Sequence, residues 1–207
     1  MSSVAIQGNA AGAGVFTIAS PNSASSYTAT LPTATTTLVG TDATQTLTNK
    51  TIQGGAITTG TAVASTSGTS ITFSSIPSWV KRITVMFNGV STSGTSPVLL
   101  QIGSGSVTTT GYVSGTQNAA TFSSSTAGYI FEAAAAAADT IYGFYTLCLI
   151  SGNAWTGSGN ILRSGTNVNA NAGVSAALGG ALDRVVITTV GGTDTFDAGT
   201  VNILYEG

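Results

Sequence analysis

Residues 140–150 read TIYGFYTLCLI, and this stretch decides the fold class. Its polar, aromatic and aliphatic side chains fit the period of two that is typical of a β-strand. One face would hold Tyr142, Phe144, Cys148 and Ile150. The other face would hold Ile141, Tyr145, Leu147 and Leu149. A strand that is apolar on both faces is expected in the core of a β-sandwich and also beneath a second layer, such as a subunit interface.

Strand patterns continue on both sides of this stretch. Ile83, Val85 and Phe87 alternate with more polar neighbours, and residues 97–102, 127–131, 185–190 and 201–205 behave similarly. Turn-forming Gly, Ser and Asn separate these runs, and no helical period lies between them. We therefore predict an all-β fold in which residues 63–207 form an antiparallel β-sandwich of jelly-roll type.

The segment 132–139 contains six consecutive alanines between Glu132 and Asp139. Alanine is the best helix former, yet eight residues are fewer than the roughly 12–15 that an isolated helix needs. A short helical turn over one end of the sandwich and a tightly packed strand of small residues both fit this pattern, and the sequence does not choose between them.

Residues 1–62 differ in composition from the rest of the chain. Their aromatic residues are Phe16 and Tyr27, and their short apolar pieces are separated by Gly, Pro and Asn. Such a segment buries too little apolar surface to fold alone. It is either a disordered arm or an extended stem wound with partner chains, and its many β-branched residues favour the stem.

The charge content excludes several classes of function. Among 207 residues there are five basic and seven acidic side chains, no histidine and a net charge of −2. We find no proton shuttle, metal cluster or activated nucleophile, so we predict no enzyme activity, cofactor or metal. The scattered basic residues argue against nucleic acid, and no apolar run is long enough to insert into a membrane. So few charges predict an obligate homo-oligomer that covers its apolar faces with copies of itself.

Local motifs have ordinary structural interpretations. Asp194 and Asp197 could ligate Ca²⁺, but a polar turn between strands is the simpler interpretation. Cys148 is expected to be a small buried hydrophobic residue. Glu132, Asp139 and Asp183 have no spacing that would place two carboxylates across a sugar.

Aromatic residues in polar, loop-like contexts are the candidates for contact with a receptor. Trp155 follows Ser151–Asn153, and an exposed indole could stack on a sugar while the amide of Asn153 binds its hydroxyls. Tyr112, in Thr110-Gly111-Tyr112, is a second candidate. The alternative for both aromatics is that they fill one end of the sandwich or a gap between subunits.

Several phrases resemble the fibre proteins of tailed bacteriophages. Residues 46–52 read TLTNKTI, a phrase of fibre stems, and residues 14–21 followed by Leu31-Pro32 resemble another. Residues 76–85 and 199–206 resemble the first and last strands of the C-terminal domains of such proteins.

The resemblance implies a homotrimeric virion fibre with an intertwined stem, residues 1–62, and a head that binds host surface glycans or proteins. Ile52 and Ile57 would face the three-fold axis, and Tyr145, Leu147 and Leu149 would contribute to the trimer interface. The N-terminal arm would attach to other virion proteins of the tail or capsid. Two alternatives remain open: a capsid decoration (cement) protein or head fibre on the capsid lattice, and a polysaccharide depolymerase.

Overall fold

The computed structural model describes residues 12, 24–26, 57–132, 135–164 and 168–207. The chain divides into two units, Met1–Lys50 and Thr51–Gly207. The architecture described below is that of the second unit. Ile52 and the stem phrases of residues 14–21 and 46–52 lie outside the described residues.

The described part of the second unit is built from β-strands and contains no helix. No helical segment long and apolar enough to cross a membrane occurs in this part of the chain. The strands are β1 (Ile57–Thr59), β2 (Val63–Ala64), β3 (Ile71–Ser74), β4 (Arg82–Thr92), β5 (Val98–Ser104), β6 (Ser106–Val107), β7 (Val113–Gln117), β8 (Phe122–Ser125), β9 (Tyr129–Ile130), β10 (Ile141–Ser151), β11 (Ala154–Arg163), β12 (Val168–Val174), β13 (Arg184–Thr189) and β14 (Phe196–Glu206).

These strands form two antiparallel sheets. The large sheet has the order β1-β14-β4-β10-β11-β12-β7-β8, with β2 also paired to β14. The small sheet has the order β3-β13-β5-β6, with β9 also paired to β5. The predicted all-β class with antiparallel sheets is therefore confirmed.

The N-terminal edge of the large sheet includes residues that we assigned to the stem. Ile57 in β1 lies opposite Glu206 in β14, and Val63 in β2 lies opposite Val201. Residues 57–59 are thus a strand of the large sheet, on the N-terminal side of the boundary that we predicted after residue 62.

Alternation of side chains sets the two faces of the sheets. In β4, Ile83, Val85 and Phe87 are buried, whereas Thr84 and Met86 are partly exposed. Successive residues of a strand point to opposite faces, so this pattern places one face of β4 on the core. The period of two predicted for this segment is confirmed.

The inner faces of the two sheets share one hydrophobic core. The ring of Tyr129 in β9 lies 5.5 Å from that of Tyr145 in β10, and Phe131 lies 5.1 Å from Phe87 in β4, both between ring centroids. These contacts join a strand or loop of the small sheet to a strand of the large one. Burial of such large side chains is the main force that holds the sheets together, at about 25 cal/mol per Å² of apolar surface.

The alanine-rich segment has no helix in its described residues, which exclude Ala133 and Ala134. The amide of Asp139 donates to the carbonyl of Ala136 at 2.9 Å, so the segment ends in a turn. It connects β9 of the small sheet to β10 of the large sheet.

Candidate interaction surface

Trp155 lies inside the sandwich, so the prediction of an exposed indole is wrong. Only 2% of its surface is exposed. Gly152 and Asn153 form the two-residue turn between β10 and β11, with Gly152 at a φ of 55°. Because the turn is so short, Trp155 is already in β11, where alternation directs it inward. Its backbone carbonyl accepts a hydrogen bond from the hydroxyl of Tyr129 at 2.9 Å.

Tyr112 is also buried, and the prediction that it contacts a receptor is wrong for the same reason. Its hydroxyl accepts from the amide of Ile102 at 2.9 Å and donates to the carbonyl of Thr108 at 2.9 Å. Its ring packs edge-on against that of Tyr129. Burial raises the pKa of Tyr112 to about 12. The alternative interpretation, an aromatic side chain that fills the sandwich, describes both Trp155 and Tyr112.

Asn153 is the one member of the receptor group that lies at the surface. It is half-buried in the turn between β10 and β11, and its backbone carbonyl accepts from the amide of Leu178 at 3.0 Å. Its side-chain amide faces the carbonyls of Gly152 and Gly180, and donates to both when its nitrogen is assigned to that side.

The predicted interface residues of β10 belong to the core of a single chain. Tyr145 and Leu147 are completely buried, and Leu149 is partly buried and packs against the same core. Their assignment to the trimer interface is therefore wrong for Tyr145 and Leu147, because the small sheet already covers them. Ile57, by contrast, is exposed at the edge of the large sheet.

The opposite face of β10 is the exposed one. Phe144 is 56% exposed, and Tyr142, Cys148 and Ile150 are exposed as well. The division of β10 into two apolar faces was predicted correctly, whereas the burial expected for Cys148 was wrong. The face that lacks cover in this chain is thus the face that carries Phe144.

Five adjacent strands extend this exposed face: β10, β11, β12, β7 and β8. Their outward side chains include no charged residue, since Arg163 in β11 points inward and is buried. We call the outward side of these five strands the neutral face. Of the eleven large hydrophobic residues that are exposed in the described part of the chain, eight lie on it: Val113, Phe122, Tyr142, Phe144, Ile150, Leu162, Val168 and Val174.

A trough crosses the neutral face. Register neighbours along it are small, namely Thr146, Ser158, Ala172 and Gly115. On one side it is bounded by Phe144 and by Phe122, whose ring lies over Gly115, 2.8 Å from where a Cβ would be. Concave spaces of about 720 Å³ near Phe122 and about 600 Å³ near Phe144 result from this relief.

A buried ionic cluster joins the two sheets at one end of the sandwich. Glu132 accepts a hydrogen bond from the amide of Val98 in β5 at 3.2 Å, and its other oxygen lies 3.8 Å from Nε of Arg163 in β11. Asp139 also contacts Arg163. Burial, with a smaller contribution from Asp139, raises the pKa of Glu132 to about 7, against the opposing effects of Val98 and Arg163.

This cluster has the composition of a paired-carboxylate site but not its access. The cavity lined by Glu132 and Asp139 holds only about 10 Å³, far less than a sugar ring requires. The cluster was not predicted, because Arg163 is 24 residues from Asp139 and still farther from Glu132 in the chain. Its signal was a charge next to apolar residues, at Phe131-Glu132 and Leu162-Arg163.

Asp194 contributes to a turn. Its Oδ2 accepts a hydrogen bond from the amide of Ser96 at 2.8 Å, so the carboxylate ties two loops of the sandwich together.

No group of three or more acidic, histidine or cysteine side chains suited to a metal ion occurs in residues 57–132, 135–164 and 168–207. The neutral face remains the most distinctive surface of the described residues.

Comparison of the chain with protein-family models, with curated proteins and with solved structures gives no match.

Proposed function

We propose that this protein is a non-enzymatic structural protein of a tailed-bacteriophage virion. It would be a homotrimeric fibre with a jelly-roll-like head that contacts the host cell surface. The observation that carries the proposal is the neutral face, which concentrates exposed apolar side chains on five strands that present no charge outward. Apolar surface concentrated in this way is typical of proteins that act by contact with other macromolecules.

The fibre phrases give the proposal its biological setting. TLTNKTI at residues 46–52 and the strand phrases at 76–85 and 199–206 occur in the order expected of a stem followed by a head. The second of these strand phrases lies largely in β14, which pairs with β4 near the centre of the large sheet. The N-terminal arm would connect the head to other proteins of the particle.

The receptor contact is proposed for the turn between β10 and β11. With Trp155 and Tyr112 inside the sandwich, Asn153 is the candidate that still reaches the surface. Because its amide nitrogen donates to Gly152 and Gly180, the half-buried side chain offers its oxygen as an acceptor to a sugar or a peptide.

Location on the particle tests this function against the capsid alternative. Antibody raised against the purified protein and labelled with gold should decorate the tail tips of the phage. Decoration of the whole icosahedral shell would instead establish the cement protein or head fibre. No label on the particle would overturn both.

An adsorption assay tests the receptor contact. Purified protein added to host cells should reduce phage adsorption, and Asn153→Lys should weaken this competition. Thr193→Lys, which adds the same charge to another exposed turn, is the matched control. Equal competition by both variants would remove the turn between β10 and β11 as the contact. Release of reducing sugar ends from host envelope by the wild-type protein would replace the fibre proposal with a depolymerase.

A further inference from the structure

The geometry points to a second copy of this chain as the partner that covers the neutral face. The inference rests on the proposed homo-oligomer and states which surface forms it. Because Tyr145 and Leu147 face the core, the inference assigns the interface to residues on the opposite side of the same strand, above all Phe144 and Tyr142.

The size of the neutral face is that of a specific interface. Five strands spaced about 4.8 Å apart, with about seven residues of about 3.4 Å each, span about 600 Å². Covering this face with an equal area of a second copy would bury about 1,200 Å² in total, which is the lower end of the range for stable protein–protein interfaces. A small ligand would leave most of this area exposed to water.

Charge selects the kind of partner. The five strands offer no outward cation to an anionic polymer and no outward anion to a basic surface. Arg82 of β4 borders the neutral face and lines the concave space near Phe144, but it already pairs with Glu206 of β14, with Nε and Oε1 3.4 Å apart. The complementary surface must therefore be uncharged and rich in apolar groups. Another copy of a chain with 6% charged residues supplies such a surface.

The relief of the face also favours a protein surface over a flexible ligand. The small residues Thr146, Ser158 and Ala172 of the trough let a facing backbone approach closely, while Phe144 and Phe122 stand beside it as large apolar anchors. Large aromatic anchors next to small-residue hollows are typical of the buried centre of protein interfaces.

Cys148 makes the inference testable in the wild-type protein. It is the one cysteine of the chain, and it is exposed on the neutral face opposite Thr156 of β11. If a second copy covers this face, the native protein should react with a maleimide at least about tenfold more slowly than the urea-unfolded protein, because the thiol must first be uncovered. Sedimentation of the same sample should give a multiple of 20.4 kDa.

A pair of aspartate variants tests the same surface by disruption. Phe144→Asp should dissociate the oligomer and restore the reactivity of Cys148, because a carboxylate would have to be buried without a partner. Val190→Asp is the matched control, since Val190 is also an exposed apolar residue but lies outside the neutral face. It should leave both the mass and the protection of Cys148 unchanged.

The outcomes separate this inference from the function on which it rests. A stable oligomer whose Cys148 reacts as fast as in urea would overturn the inference and leave the oligomer standing on another surface. A protein that sediments as a folded 20.4 kDa monomer at every concentration tested would overturn both. Because protection of Cys148 is measured on the unaltered chain, the test stands even where Phe144→Asp does not fold.

Discussion

The two faces of the large sheet are alike in sequence and opposite in environment. On β10, Tyr145 and Leu147 face the small sheet and are completely buried, whereas Tyr142 and Phe144 alternate with them and are exposed. Aromatic content does not distinguish the faces, since each carries a ring from this strand. The distinguishing feature is the second sheet, which covers one face with Tyr129 and other side chains of the same chain. An apolar face must thus be covered by other apolar surface, and the fold determines whether that surface comes from the same chain.

The largest expected effect comes from shortening a side chain on the inner face. Leu147→Ala should lower the free energy of unfolding by about 2–5 kcal/mol, because it removes buried methyl groups and leaves a cavity. Urea denaturation followed by circular dichroism measures this loss. It should be the same at every protein concentration, since Leu147 packs within one chain.

Phe144→Ala is the matched change on the outer face. Its effect should depend on protein concentration, because only the associated form buries Phe144. At concentrations where the protein is fully dissociated, this variant should unfold like the wild type. A loss for Phe144→Ala that equals that of Leu147→Ala at all concentrations would abolish the distinction between the faces.

The sequence was informative about elements and much less so about their neighbours. The period of two in β4 and β10 predicted strands and the two faces of β10, because alternation is a local property of the extended chain. Which face meets the small sheet depends on contacts between distant segments, and Tyr145 and Leu147 were consequently assigned to the wrong partner. Trp155 was misplaced because Gly152 and Asn153 make a tighter turn than their polar context indicated.

The ionic cluster marks a second limit of sequence reasoning. Glu132 and Arg163 belong to segments that meet only when β9 and β11 are placed in their separate sheets. Their burial follows from that placement, which the apolar neighbours Phe131 and Leu162 do not specify. Ile57 shows the same dependence, since its place opposite Glu206 comes from the pairing of β1 with β14.

The next comparison concerns the pH dependence of stability, for a buried carboxyl between the sheets and for an exposed ion pair on the outer side. A carboxyl whose pKa is higher in the folded than in the unfolded state binds its proton more tightly when folded, so it stabilises the fold at low pH. The pKa of Glu132 rises from 4.5 to about 7. Its contribution should be complete below about pH 4.5 and lost as the pH rises through 7, by at most about 3.5 kcal/mol at about 1.4 kcal/mol per pKa unit.

Denaturation midpoints between pH 4.5 and 8 measure this loss. Glu132→Gln should flatten the profile, while the neighbouring charges Arg163 and Asp139 remain in place. On the outer side, Glu206→Gln breaks the exposed pair with Arg82 and should change the stability by less than about 1 kcal/mol. A wild-type profile that rises from pH 5 to 7, or one that Glu132→Gln leaves unchanged, would contradict the assignment.

The smallest expected difference concerns two neighbours in β11, Gly157 on the inner face and Ser158 on the outer. A Cβ at Gly157 would lie 2.8 Å from Cδ2 of Leu147 and also against the ring of Tyr145. Overpacking of this kind costs about 1–3 kcal/mol. The clashing atoms are ends of side chains, and alanine restricts the unfolded chain more than glycine does, so Gly157→Ala should lose about 1–2 kcal/mol.

Ser158→Ala adds no atoms and faces outward into the trough, so its effect should lie within about 0.5 kcal/mol at concentrations where the protein is dissociated. Equal stability of the two variants there would mean that β11 does not pack against Tyr145 and Leu147. A loss confined to Gly157→Ala would show that one residue step along this strand separates the interior of the chain from the surface that meets a second copy.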